Sequence, residues 1–180
     1  MRSVVRFGSG LVILGLILVF CSDETYTIYD LRFEDGAISG WIENTEKGYV
    51  KFTSTDMFGL VNGGAKLFID KGMNEGFAQY MHKDEKLFES WIMDFGTADK
   101  AKVMYDDRLN FYENEEDAGS YSQDMAFVRP DGYGYTGFAI FGNLMIYITL
   151  SEYGTNKSEA KNNMIEFFQT YDKKIQELGL

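Results

Sequence analysis

The chain has 180 residues, enough for one domain with a core of its own, and 16% of them are aromatic, with 15 Phe and 12 Tyr. It carries 17 basic and 28 acidic side chains, a net charge of −11; such a surface repels phosphate backbones and anionic headgroups, which argues against nucleic acid as a partner and against membrane contact through basic residues. One cysteine rules out an intramolecular disulfide, and one histidine rules out a metal centre built from imidazoles.

The first twenty-one residues have the three-part form of an export signal. Arg2 and Arg6 precede the apolar run Leu11 to Phe20, and the run ends at Cys21, after which Ser22, Asp23 and Glu24 turn the chain polar. The stretch from Phe7 to Cys21 is 15 residues long, shorter than the roughly 20 a spanning helix needs. An uncleaved anchor therefore requires Val4 and Val5 to join it and Arg6 to snorkel, and an ordinary cleaved signal is the other alternative. The segment Leu18-Val19-Phe20-Cys21 resembles the bacterial lipoprotein signal, with Phe20 standing where a small residue is usual. The resemblance implies cleavage before Cys21 and acylation of that cysteine. The expected organisation is a signal peptide over 1–20, a lipid-anchored tether over 21–25 and one domain over 26–180. Removal of Arg2 and Arg6 with the leader takes the net charge from −11 to −13.

In the mature part, Thr25 to Leu31 is β-branched and aromatic and reads as a strand. Gly36 and Gly40 mark turns around Trp41-Ile42, and Tyr49 to Thr53 alternates as a second strand. From Thr55 or Asp56, Met57, Leu60, Val61, Gly64, Ala65 and Phe68 recur at helical spacing, with Gly72 placed as the C-terminal cap. Gly59, Gly63 and Gly64 cost that helix about 1 kcal/mol each against Ala, so close packing on a sheet is expected to compensate; the alternative is a hairpin turning at Asn62-Gly63. Phe77 to Met81 and Lys86 to Phe95 read as paired strands around His82-Lys83-Asp84-Glu85. In the second, Leu87, Trp91, Met93 and Phe95 share a face that Glu89 interrupts. A helix after Thr97 gathers Ala98, Ala101, Met104 and Tyr105 and fades near Leu109. Residues 106 to 118 read as an acidic loop. Met125 to Val128 is a short strand, Pro130-Asp131-Gly132 a turn, and Tyr135 to Phe141 with Leu144 to Leu150 a hairpin about Gly142-Asn143. A last helix, 158 to 178, carries the stripe Ala160, Met164, Phe168, Tyr171, Ile175 and Leu178.

No chemistry-bearing constellation emerges. Gly132, Gly134 and Gly137 spell G-x-G-x-x-G, but a dinucleotide fingerprint must open a helix and these glycines enter a strand. His82 lies in a polar connector, away from any nucleophile motif. Asp106, Asp107, Glu113, Glu115, Glu116 and Asp117 lack the spacing of a calcium loop and read as a solvated acidic segment. The rings Tyr133, Tyr135, Phe138, Phe141 and Tyr147 read as cross-strand packing, with a sugar or apolar ligand as the alternative. No catalytic, cofactor or metal residue is assigned. Asn62 and Gly63 are the candidate ligand-facing positions and Cys21 the lipidation site.

Gly40-Trp41, then Leu60-Val61-Asn62-Gly63-Gly64-Ala65 with Gly72 closing the helix, then Met93-Asp94-Phe95-Gly96 and Ala101, resemble an uncharacterised bacterial family of exported proteins, a domain of unknown function. Its helix reads Tyr-Ile-Asn-Gly-Ala-Ala-Glu; here Lys66, Phe68 and Gly64 replace an acidic residue, a tyrosine and an alanine. The similarity covers residues 40 to 108, with a looser echo to 150. It implies export and a helix through the glycines, and no activity. The expected fold is a single α+β domain, a twisted, mainly antiparallel sheet of about six strands with about three helices packed against it. The expected function is a lipid-anchored protein of the cell envelope or periplasm, more a binding or accessory module than an enzyme. It would be held to the membrane through its lipid, with no nucleic acid and no cofactor, and its small-molecule or protein partner is not identifiable from sequence. The alternatives are a carboxylate-dependent hydrolase and a structural envelope component.

Overall fold

The computed structural model describes residues 26–61, 63–112, 119–122, 125–128, 134–151 and 157–179. Two long hairpins build its centre. Strands β3 (Glu75–Lys83) and β4 (Lys86–Asp94) turn through Asp84-Glu85. Asp84 sits at φ +55, a conformation Asp tolerates better than most side chains. Strands β7 (Gly134–Phe141) and β8 (Leu144–Ser151) turn through Gly142-Asn143, as the sequence signals. β4 pairs with β8 from Leu87↔Ser151 to Asp94↔Leu144 and fuses the hairpins. β6 (Met125–Val128) and β5 (Gly119–Ser122) extend one side, and β1 (Ile42–Glu43) and β2 (Tyr49–Thr53) both pair with β3 on the other. The order is β1-β3-β4-β8-β7-β6-β5, and every pairing is antiparallel. The α+β class and the antiparallel sheet agree with the expectation; the eight strands among the described residues exceed the expected six through the short edge elements.

Helices lie on both faces of the sheet, which is why β8 reads as a near-continuous apolar run. On one face lies helix α4 (Lys157–Leu178), whose Ala160, Met164, Phe167, Phe168, Tyr171 and Ile175 are buried against Phe77, Phe88, Ile92, Ile146 and Ile148. The rings of Phe88 and Phe167 stack 3.7 Å apart. The segment Leu31 to Trp41 joins this layer. There Gln79, fully buried, grips the Phe33 backbone with both ends of its amide, at 2.9 Å from Phe33 N and 2.7 Å from Phe33 O. Buried Tyr171 donates to Ser90 Oγ at 2.8 Å. On the other face lie α1 (Met57–Leu60), α2 (Ala65–Asp70) and α3 (Ala98–Phe111), over Ala78, Trp91, Met93, Phe138 and Met145.

Several expectations are corrected. The strand at 25–31 is instead a single 3-10 turn, Ile28–Leu31. The Asp30 carboxylate accepts from Thr27 N at 2.7 Å and Thr27 Oγ1 at 2.9 Å, so local side-chain bonds outcompete extended backbone. The helix expected from 55 to 72, which the family resemblance also implies, is two short helices. Val61 is extended at φ −120 and Gly63 left-handed at φ +76, which breaks the hydrogen-bond ladder; the hairpin alternative is absent too. No atom of the described residues lies within 4 Å of a Cβ built on Gly63 or Gly64, so the expected close packing is also wrong. Gly72 does close α2: Met73 N bonds Phe68 O and Gly72 N bonds Ile69 O around φ +91. α3 extends through Phe111, so Asp106 and Asp107 are helical rather than in a loop, and Ala98 is exposed. His82 belongs to β3, opposite Leu87, rather than to a connector. Gly137 lies within β7, where a Cβ would come 2.7 Å from Phe168 Cζ and 2.8 Å from Met164 Sδ; helix packing accounts for this glycine.

Candidate ligand-binding cleft

On the face carrying α1, α2 and α3 the cover is incomplete. A cleft of about 570 Å³ opens between the short helices and the sheet, within the roughly 300–1,000 Å³ range of small-molecule sites. Its floor is set by register. Tyr80, Glu89 and Thr149 stand side by side across β3, β4 and β8, and Ala78, Trp91 and Tyr147 form the next row on that face. Tyr80, Glu89, Thr149, Trp91 and Tyr147 border the open space, while Ala78 is buried beside them. Met57, Leu60, Val61, Gly64, Leu67 and Phe68 form the helical wall, and the break between α1 and α2 is part of it.

Two cations line the cleft. Lys47 comes from the excursion 44–48 that separates β1 from β2 on the edge of β3. That excursion is fixed: Asn44 N bonds Tyr80 O at 2.8 Å, Tyr80 N bonds Gly48 O at 2.9 Å, and the Asn44 side chain accepts from Glu46 N and Lys47 N at 3.0 Å. The Lys47 ammonium lies 5.1 Å from the Tyr80 ring centroid, a cation–π contact. Arg108, on α3, is mostly buried; its Nη2 donates to Asp107 at 2.8 Å and its guanidinium sits over Phe111 at 5.1 Å. Its Nε is buried and meets no acceptor among the described residues, an arrangement that costs about 1–3 kcal/mol unless something supplies one.

Glu89 is the one carboxylate among the described residues of the lining. It accepts the Trp91 indole N–H at 2.5 Å and the Tyr80 hydroxyl. Burial first, and then the charge and hydrogen bond of Glu89, push the Tyr80 hydroxyl up to about 12, so it stays a donor at neutral pH. Glu89 is therefore a tethered acceptor that orients the two rings. A carboxylate pair for hydrolysis would need a second carboxylate within reach, and the described lining provides none.

Of the sequence-derived candidates, Cys21, Asn62, Tyr133 and Glu113 to Asp117 lie outside the described residues. Gly63 is exposed at the helix break, between the lining residues Val61 and Gly64. Asp106 and Asp107 pair with Lys102 at 2.5 Å and with Arg108 and Lys71 at 2.8 and 3.8 Å. Of the aromatic run, Tyr135 and Phe138 are core residues and Tyr147 lies on the cleft floor. Lys47, Tyr80, Trp91 and Arg108 carry no site motif in the sequence and meet only in the fold. One signal was present: Glu89 interrupting an apolar face of β4 marks the floor.

Among the described residues no group of three or more His, Cys, Asp or Glu side chains could hold a metal ion, and no helix is long and apolar enough to cross a membrane. No protein-family model matches the chain, and no curated protein is significantly similar to it. Among solved structures, the extracellular domain of PknH from Mycobacterium tuberculosis is similar over 77% of this chain and 82% of that one, with 10% sequence identity and a TM-score of 0.46.

Proposed function

We propose that this chain is a lipid-anchored binding module of the bacterial cell envelope, carried on Cys21 and holding a small ligand in the cleft over β3, β4 and β8. The cleft carries the reading: an open, largely aromatic and aliphatic cavity with a few fixed polar groups is the ordinary form of a ligand site. The leader supports export and acylation, with residues 1–20 removed, 21–25 as tether and the remainder as the domain, and the family resemblance supports export. Glu89, with its two donors, orients rather than reacts, and this favours binding over hydrolysis.

The test is chemical. Protein purified from its own membranes is extracted, and the released small molecules are compared between wild type and Gly64→Phe. Gly64 borders the cleft and a Cβ there meets nothing within 4 Å, so the ring enters open space. A compound near one per chain, present in wild type and lost in the variant, is expected. Identical extracts would contradict the assignment of the cleft.

A further inference from the structure

We infer that the cleft takes an amphipathic anion, an acidic group on an apolar body, with Arg108 receiving the acid and Lys47 adding its charge. The inference deepens the cleft-binding reading and rests on it. The protein as a whole is acidic, at −11, yet the lining carries Lys47 and Arg108 against Glu89 alone. Glu89 already receives Trp91 and Tyr80, so its charge is satisfied by its own neighbours rather than by the cations. Lys47 has no carboxylate within ion-pair distance among the described residues, and only the Tyr80 ring beneath it. Arg108 spends one nitrogen on Asp107, and its Nε is buried with no acceptor among the described residues. A guanidinium that lines the cleft from a mostly buried setting matches a carboxylate, sulfonate or phosphate oxygen. A cationic ligand would meet two like charges and one occupied carboxylate. The apolar body has Met57, Leu67, Phe68, Trp91 and Tyr147 to lie against.

The test uses a matched pair of dyes, 8-anilinonaphthalene-1-sulfonate and N-phenyl-1-naphthylamine, which share one body and differ by the sulfonate. Full-chain protein in amphipol is titrated with each by fluorescence, against an empty-amphipol blank, for wild type, Arg108→Gln, Lys47→Gln and Gly64→Phe. The sulfonate is expected to bind at least tenfold tighter than the neutral dye, and to weaken with added salt. Arg108→Gln should bring it to the neutral dye's level while leaving the neutral dye unchanged. Lys47→Gln, a change on an exposed loop, should cause a smaller loss of the same kind, which keeps the test valid if Arg108→Gln misfolds. Equal affinity for both dyes, insensitive to Lys47 and Arg108 but abolished by Gly64→Phe, overturns the anion assignment and leaves the cleft reading standing. Binding of neither dye, or binding unaffected by Gly64→Phe, overturns both.

Discussion

Two glycines four residues apart should respond to alanine with opposite signs. Gly59 lies inside α1 with ordinary helical backbone, and a Cβ there meets no atom within 4 Å. Gly59→Ala should therefore stabilise by about 0.4–1 kcal/mol, chiefly by restricting the unfolded chain. Gly63 is as uncrowded, but its φ is +76. An L side chain in that conformation costs about 1–2 kcal/mol, against the same unfolded-state gain of about 0.4–1 kcal/mol. The net for Gly63→Ala is a destabilisation of up to about 1.6 kcal/mol. At about 2–4 °C per kcal/mol for a domain of this size, Gly59→Ala raises the melting temperature by about 1–4 °C and Gly63→Ala lowers it by up to about 6 °C. Scanning calorimetry on the two variants reads both. A rise for Gly63→Ala would mean that the helix continues through residue 63, and the cleft wall described here would be wrong.

Gly137→Ala forces a Cβ to within 2.7 Å of Phe168 and 2.8 Å of Met164; overpacking of this kind costs about 1–3 kcal/mol, and a denaturation midpoint equal to wild type would remove the close contact between β7 and α4. Alkali should unfold the protein in a defined window. The Tyr80 hydroxyl titrates near 10 unfolded and at about 12 folded, so its contribution is full below pH 10 and is lost as the pH rises towards 12. Urea midpoints between pH 9 and 12 should fall less steeply in Tyr80→Phe, and identical slopes would contradict this. Cys21→Ser should release the protein from membranes and abolish lipid labelling, because acyl chains contribute about 0.8 kcal/mol per buried methylene; unchanged fractionation would refute the anchor.

The elements legible in the sequence are those whose signals are local. Gly142-Asn143 between apolar runs, Thr97 ahead of Ala101, Met104 and Tyr105, and the stripe from Ala160 to Ile175 each carry their own pattern, and each forms as read. The failures share a cause. Met57 to Phe68 has helical spacing because both α1 and α2 turn apolar side chains inward, and periodicity does not register a left-handed residue between them. Thr27 and Asp30 form a turn through side-chain bonds that β propensity ignores. The cleft was illegible as a whole because Lys47, Tyr80, Glu89, Arg108 and Tyr147 meet only through strand register and helix packing. Its one trace in the sequence, a carboxylate on an apolar strand face, became informative once β8 and α2 were seen around it.

The chain has two tryptophans, and they make the most direct test of the cleft. The Trp91 indole N–H is bonded to Glu89 at 2.5 Å and its ring lines the cleft. Trp41 is fully buried on the opposite face, and its indole N–H has no acceptor among the described residues. The two indole resonances in a nitrogen-15 correlation spectrum should therefore be well separated, with Trp91 downfield and lost from that position in Glu89→Leu. On titration with 8-anilinonaphthalene-1-sulfonate, the Trp91 indole should shift with saturation while Trp41 stays in place. A Trp91 resonance that does not move, or two that move together, would contradict the assignment of this cleft as the protein's binding site.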